Sequence, residues 1–221
     1  MKRELNSNLV AYIEEKYFPI YKTFDKGHDL NHIEEVITRV FEIAKYVPDI
    51  DINIAYASAA LHDIGIQVQR KNHAFYSGCI VSKDSGLNAF FDESEIQIIK
   101  EAVEDHSTSC GIEPRSIYGK IVCDADKDND LERSLTRAYE FTLSYFPEYT
   151  QEQCLENVYE QLNFKFGNHG KVRFWIGTPE QYEFMNKMKN IANNKELFTE
   201  IMQPIIKKCN SSVSYIKAKK D

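Results

Sequence analysis

The sequence predicts an all-α protein, and three observations carry that reading. Apolar residues recur at three- and four-residue spacings through most of the chain, the mark of helices with one buried face. Strict apolar–polar alternation, the mark of half-buried strands, is nearly absent. The periodic stretches are also punctuated by Asp near their starts and by Pro or Gly near their ends, as helix caps and stops require. With 221 residues, 43% of them hydrophobic, the chain can bury a sizeable core. No internal repeat or low-complexity linker divides it, so one all-α domain over 1–221 is expected.

Taken in order, a first helix is expected over Leu9 to Ile20, ending at Pro19. After a loop, Gly27-His28-Asp29 turns into a second helix from about Leu30 to Tyr46, with Asp29 near its N-cap. In it Ile33, Val36, Ile37, Val40, Phe41 and Ala44 share a broad buried face, and His32 sits on the edge of that face. Pro48 stops this helix, and Asp51 caps the next, an apolar run through Leu61 that ends at His62-Asp63-Ile64-Gly65. The loop from Ile66 to Lys71 carries two adjacent cations, Arg70 and Lys71, before a short helix over Asn72 to Val81 rich in small residues. Asp92-Glu93-Ser94-Glu95 opens a helix to His106, its acids favourably placed at the positive end of the dipole. A loop follows over Ser107 to Gly111, and Ile117 to Asp124 is apolar before the acidic run 124–130. Leu131 to Phe146 and Glu152 to Phe166 read as helices separated by Pro147. The pattern breaks over 167–178, where Val172 to Ile176 is compatible with extended backbone. A final long helix is expected from Pro179 to Phe198 or beyond, before a frayed lysine-rich tail over Ile216 to Asp221.

The net charge of −7 argues against binding a nucleic-acid polymer or an anionic membrane. It leaves a nucleotide open, because a metal ion can reverse the local field of a pocket. No apolar run is long enough to span a bilayer, and the N-terminus lacks the apolar core of a secretory signal. The five cysteines are scattered, without a C-x-x-C pair, as expected of reduced thiols in a cytoplasmic protein.

The chemistry concentrates in few residues. An ionised carboxylate beside the apolar run before His62-Asp63 is costly unless it is paired or binds a metal. Imidazole and carboxylate are common ligands for divalent metals. Taken alone, the pair reads more readily as a hydrogen-bonded helix end, since structural pairs also fill such places. There are six histidines, and four of them fall at helix ends next to apolar runs; Asp124 and Asp126 close another apolar segment in the same way. Such residues can point inward to one shared metal site in a helical bundle.

The ordered series His32, His62-Asp63 and Asp126 resembles the H…HD…D signature of the HD-domain metal-dependent phosphohydrolase superfamily. The local contexts Gly27-His28-Asp29-Leu30-Asn31-His32, Leu61-His62-Asp63-Ile64-Gly65 and Asp124-Ala125-Asp126-Lys127 carry the likeness. His73 and His106 resemble the two extra histidines of its two-metal branch. The resemblance implies a helical HD-like core over about 25–130 and a helical extension over about 131–215. It implies that His32, His62, Asp63 and Asp126 hold a first divalent metal, that Asp63 bridges to a second, and that His73 and His106 complete the second position. Mn, Fe, Co, Ni, Zn or Mg suits such a set, one or two per chain. Asp126 is preferred to Asp124, which would orient a ligand from behind. Many relatives carry an arginine three residues after the first histidine, where this chain has Glu35.

The implied activity is hydrolysis of a nucleotide or other small phosphate compound by metal-activated water. Asp63 and Lys127 are the candidate catalytic residues, and Lys127, Arg70 and Lys71 the candidate phosphate-binding cations. Arg39 is read as a structural partner inside the fold. The same scaffold also hosts di-iron oxygenases, the alternative reading. A non-catalytic ligand-binding protein is expected to lack a ligand of the series, and none is missing here.

Overall fold

The computed structural model describes residues 4–25, 27–107 and 112–217, the side chains of 211–217 excepted. The described residues form α-helices and short 3-10 turns, with no strand. The α-helices are α1 (Ser7–Tyr21), α2 (Leu30–Ala44), α3 (Ile52–Leu61), α4 (His73–Lys83), α5 (Glu93–Asp105), α6 (Ile117–Asp126), α7 (Leu131–Tyr145), α8 (Gln151–Phe166), α9 (Pro179–Ala192) and α10 (Lys195–Lys217). None is long and apolar enough to cross a membrane.

The chain divides into two compact units, Met1–Lys127 with Arg173–Thr178, and Asp128–Val172 with Pro179–Asp221. In the first unit α3 is the central element. Every residue from Asn53 to Leu61 is buried, and α1, α2, α5 and α6 pack around it. Ala55, Ala57, Ala59 and Ala60 keep its girth small, so neighbours approach on all sides. α4 packs against α5 and against the 3-10 turn Ile64–Gln67 that follows α3. The starts of α2 and α3 are capped as the sequence predicts, and that of α5 by a reciprocal pair that the sequence reading does not name. Asp29 accepts from the His32 amide, Asp51 from Asn53, and Asp92 forms a capping box with Glu95. In the second unit α7, α8, α9 and α10 pack on one another around Leu135, Tyr139, Val158, Leu162, Met188 and Phe198.

Three local expectations are corrected. Pro19 lies inside α1, which runs on to Tyr21. Pro19 forfeits one intrahelical hydrogen bond, and burial of Tyr17 and Tyr21 carries the last turn onward. The expected long C-terminal helix is two helices. Asn193 donates its side-chain amide to the Lys189 carbonyl at the end of α9, and Asn194 accepts from the Leu197 amide at the start of α10. Adjacent asparagines thus cap two helices where apolar spacing alone suggests one. Val172–Ile176 is not a strand; the amides of Trp175 and Ile176 donate to the Asp124 carboxylate. Of the loop expected at 107–111 only Ser107 is described, and of the tail only 216–217, as the backbone of α10.

Candidate metal centre

Six side chains from five helix ends meet at one place in the first unit. His62 follows the last turn of α3, and its Nδ1–H donates to the Ala59 carbonyl at 2.7 Å. His73 opens α4 and donates in the same way to the Arg70 carbonyl at 2.9 Å. His106 ends α5 and donates to the Val103 carbonyl at 2.6 Å. Each ring is thus fixed by a carbonyl three residues upstream. A carbonyl can only accept, so the proton sits on Nδ1 and the Nε2 lone pair is aimed at the cluster.

Asp63 lies among them, fully buried. Its Oδ1 is 3.2 Å from His73 Nε2 and 3.3 Å from His106 Nε2. Its Oδ2 is 3.4 Å from His62 Nε2 and 3.7 Å from His32 Nε2. Asp126 Oδ1 is 3.2 Å from His32 Nε2 and 3.7 Å from His62 Nε2. The two oxygens of Asp63 therefore face two different pairs of imidazoles. His32, Asp126 and His73 are on the partly exposed side, and His62, Asp63 and His106 on the buried side.

The scaffold behind these groups is specific. Arg39 on α2 donates from Nη1 to the carbonyls of Ala125 and Lys127 at 2.9 and 3.1 Å, and from Nη2 to Glu35 at 2.8 Å. It ties the end of α6, which carries Asp126, to the helix that carries His32. Tyr21, fully buried at the end of α1, donates its hydroxyl to the Ala60 carbonyl at 2.9 Å behind the His62-Asp63 pair. Arg115 holds Asp105 and Glu104, the last residues of α5 before His106.

Desolvation opposes charge on both carboxylates, but the imidazoles outweigh it. Asp63 is held well below the usual carboxylate range by His62, His106 and His73, and Asp126 by His32, His62 and His106. Burial likewise opposes charge on His62, but Asp63 and Asp126 push its imidazole up to about 9. The field of the pocket favours a cation.

Two features test whether that cation fits as a metal. His62 Nε2 is buried and has no hydrogen-bond partner, which is costly for an isolated polar atom. The Nε2 atoms of His73 and His106 face one another at 3.0 Å, and with both protons on Nδ1 two lone pairs oppose. A divalent ion between such donors removes both costs, and neutral imidazole with carboxylate is a suitable donor set. The residues fit.

Residues 29–129 match the HD domain family model. This segment is an HD domain. HD domains bind divalent metals, in keeping with the donor set of the cluster. A solved structure of a predicted HD superfamily hydrolase from an uncultured Thermotogales bacterium is similar at 25% identity, over 71% of this chain and 83% of that one, with a TM-score of 0.41. No curated protein matches the chain. The match to the HD domain begins after α1, so Tyr21 contributes from outside it.

Not every candidate residue lies with the cluster. Asp124 is buried and accepts from the amides of Trp175 and Ile176 at 2.9 and 2.7 Å; desolvation raises its pKa despite these donors. It anchors the 173–178 segment through these two amides. The Lys127 ammonium turns toward α6, to the Cys123 carbonyl at 2.9 Å, the Cys123 thiol at 3.0 Å and Asp124 at 3.4 Å, and lies 5.6 Å from the centre of the Phe174 ring. It does not reach the cluster. Arg70 does lie beside it: its carbonyl orients His73, while its guanidinium pairs with Asp25 and stands 3.3 Å from His28 Nδ1. The hydrogen bond from Arg70 holds the Asp25 carboxyl far below its usual range. Lys71 is exposed next to it. Sequence reasoning missed Tyr21, Asp25 and Arg115, and also Ser77 of α4, which bonds the His62 carbonyl. Their only signal is proximity in the fold.

Proposed function

We propose that this chain is a metal-dependent phosphohydrolase acting on a nucleotide or another small phosphate compound. The HD domain supports the coarser reading, a metal-dependent hydrolase. The observation that carries it further is Asp63, whose two oxygens each face a separate pair of histidines, an arrangement suited to two adjacent cations. His32, His62, Asp63 and Asp126 would hold the first, and His73, His106 and Asp63 the second. A divalent ion held there lowers the pKa of water from about 15.7 toward roughly 7 and neutralises phosphoryl oxygens.

The chain's own groups supply the rest. The carbonyls of Ala59, Arg70 and Val103 lock the imidazole tautomers, so no ring must turn before a ligand arrives. Arg70, whose carbonyl holds His73 on the partly exposed side of the cluster, would be the cation to meet a phosphate, with Lys71 next to it. Lys127 has no part in this proposal, since its ammonium is directed to Cys123 and Asp124.

Metal analysis of the purified protein, joined to a phosphate-release screen over nucleotides and dinucleoside polyphosphates with Mn or Co under argon, tests the reading. Phosphate release that disappears in His62→Ala and Asp63→Ala together with the bound metal is the expected result. Oxygen consumption by an iron-loaded protein that releases no phosphate would point to the oxygenase reading instead.

A further inference from the structure

Ser77 lies on α4, one turn after His73, and has no exposed surface. Its hydroxyl donates to the His62 carbonyl at 2.6 Å and accepts from the Gly65 amide at 2.9 Å. Those two backbone groups bracket Asp63. The backbone turns here from α3 into a 3-10 turn, where a helix end leaves carbonyls in need of partners. The contact is close as well as bonded. A Cβ on Gly65 would stand 2.0 Å from the His73 carbonyl oxygen and 2.5 Å from the Ser77 nitrogen. Only glycine lets the turn lie so near the backbone of α4.

The consequence concerns spacing between ligands. The His62 ring is held to α3 by the Ala59 carbonyl, and the His32 backbone is capped by Asp29 at the start of α2; of these two residues the His62 carbonyl bonds to α4, through Ser77. His73 comes from α4 itself, and its Nε2 must meet Asp63 Oδ1 and His106 Nε2 within about 3 Å. We infer that Ser77 is a positioning residue for the second metal position: its hydroxyl fastens the turn bearing Asp63 to the helix bearing His73, and so sets the gap that a second ion fills. This rests on the two-metal reading above.

The test is titration of the metal-stripped full-length protein with Mn(II), followed by calorimetry and by electron paramagnetic resonance. Wild type is expected to take up two ions in two steps, with a spin-coupled signal at saturation. Ser77→Ala is expected to weaken the second step by about 10- to 100-fold, the range for losing a group behind a ligand, and the first step, which shares Asp63 but keeps the His62 ring fixed to α3, by clearly less. The coupled signal then gives way to that of an isolated ion. Should the alanine variant not fold, Ser77→Cys, similar in size with a weaker donor and acceptor, carries the same test with a smaller shift of the second step. Two steps unchanged in the variant that folds, or both steps weakened equally, overturns the inference and leaves the two-metal reading standing. A wild type that binds one ion or none overturns both.

Discussion

At the residue scale, Asp63 is buried among imidazoles because a buried carboxylate is expensive unless cations or donors surround it. Its two oxygens divide the histidines into two pairs, so removing one pair should empty one position and leave the other. His73→Ala and His106→Ala are each expected to lower the metal content from about two to about one per chain, measured by elemental analysis. A variant that still holds two would break the assignment of these histidines. Most of these residues are visible in the sequence, because His32, His62-Asp63 and Asp126 follow in order at the ends of apolar helical runs, although the histidine-aspartate pair alone is ambiguous. The orientation of Lys127 is not visible there. A lysine beside a ligand can point either way along a helix end, and here the Cys123 carbonyl and Asp124 decide the direction.

At the scale of elements, packing against neighbours sets which turn goes where. Asp84, at the end of α4, accepts from the hydroxyls of Tyr12 and Tyr17 and from the Lys16 ammonium, all at 2.6 Å, and so fastens α1 to α4. Burial raises its pKa, but these donors outweigh burial and the net shift is downward. A depressed folded pKa means that the unfolded chain binds the proton more tightly. The contribution is therefore complete above the ordinary aspartate pKa, about 4, and is lost as pH falls through the lower folded value. Asp84→Asn is expected to cost roughly 1.5–3 kcal/mol near neutral pH. In denaturant titrations its deficit against wild type should shrink below about pH 4, and a deficit that stays constant would refute the role. Gly65→Ala places a methyl against the His73 carbonyl, an overpacking expected to cost about 1–3 kcal/mol in the same measurement. Stability equal to wild type would mean that the turn does not lie against α4. Helix identity was legible in the apolar spacing, whereas the break at Asn193-Asn194 was not, since side-chain capping leaves the three- and four-residue periodicity intact.

At the scale of the whole molecule, metal binding and folding are linked. The six candidate ligands come from five helices, and the unfolded chain does not hold them together, so an ion bound by them would favour the native state. Metal at about 100 times its dissociation constant contributes about 2.7 kcal/mol, which for a chain of this size raises the unfolding midpoint by about 5–10 °C. Scanning calorimetry with and without a chelator checks this. Equal midpoints in a protein shown to bind metal would mean that the site does not depend on the fold. The HD domain match spans 29–129, yet α1 and the 173–178 segment also belong to the first unit. Tyr21 backs the histidine-aspartate pair from one of them, and the amides of Trp175 and Ile176 satisfy Asp124 in the other.

The sequence by itself determined the helical class, the order of the elements and which imidazoles and carboxylates are candidates, because periodicity, caps and ligand types are local properties of the chain. Tertiary structure alone decided that Asp126 faces the histidines while Asp124 holds a distant segment, that Arg70 lies beside the cluster while Lys127 turns away, and that Ser77 clasps the turn around Asp63. These outcomes depend on contacts between residues far apart in sequence, and no spacing along one strand of text encodes which neighbour a side chain will meet.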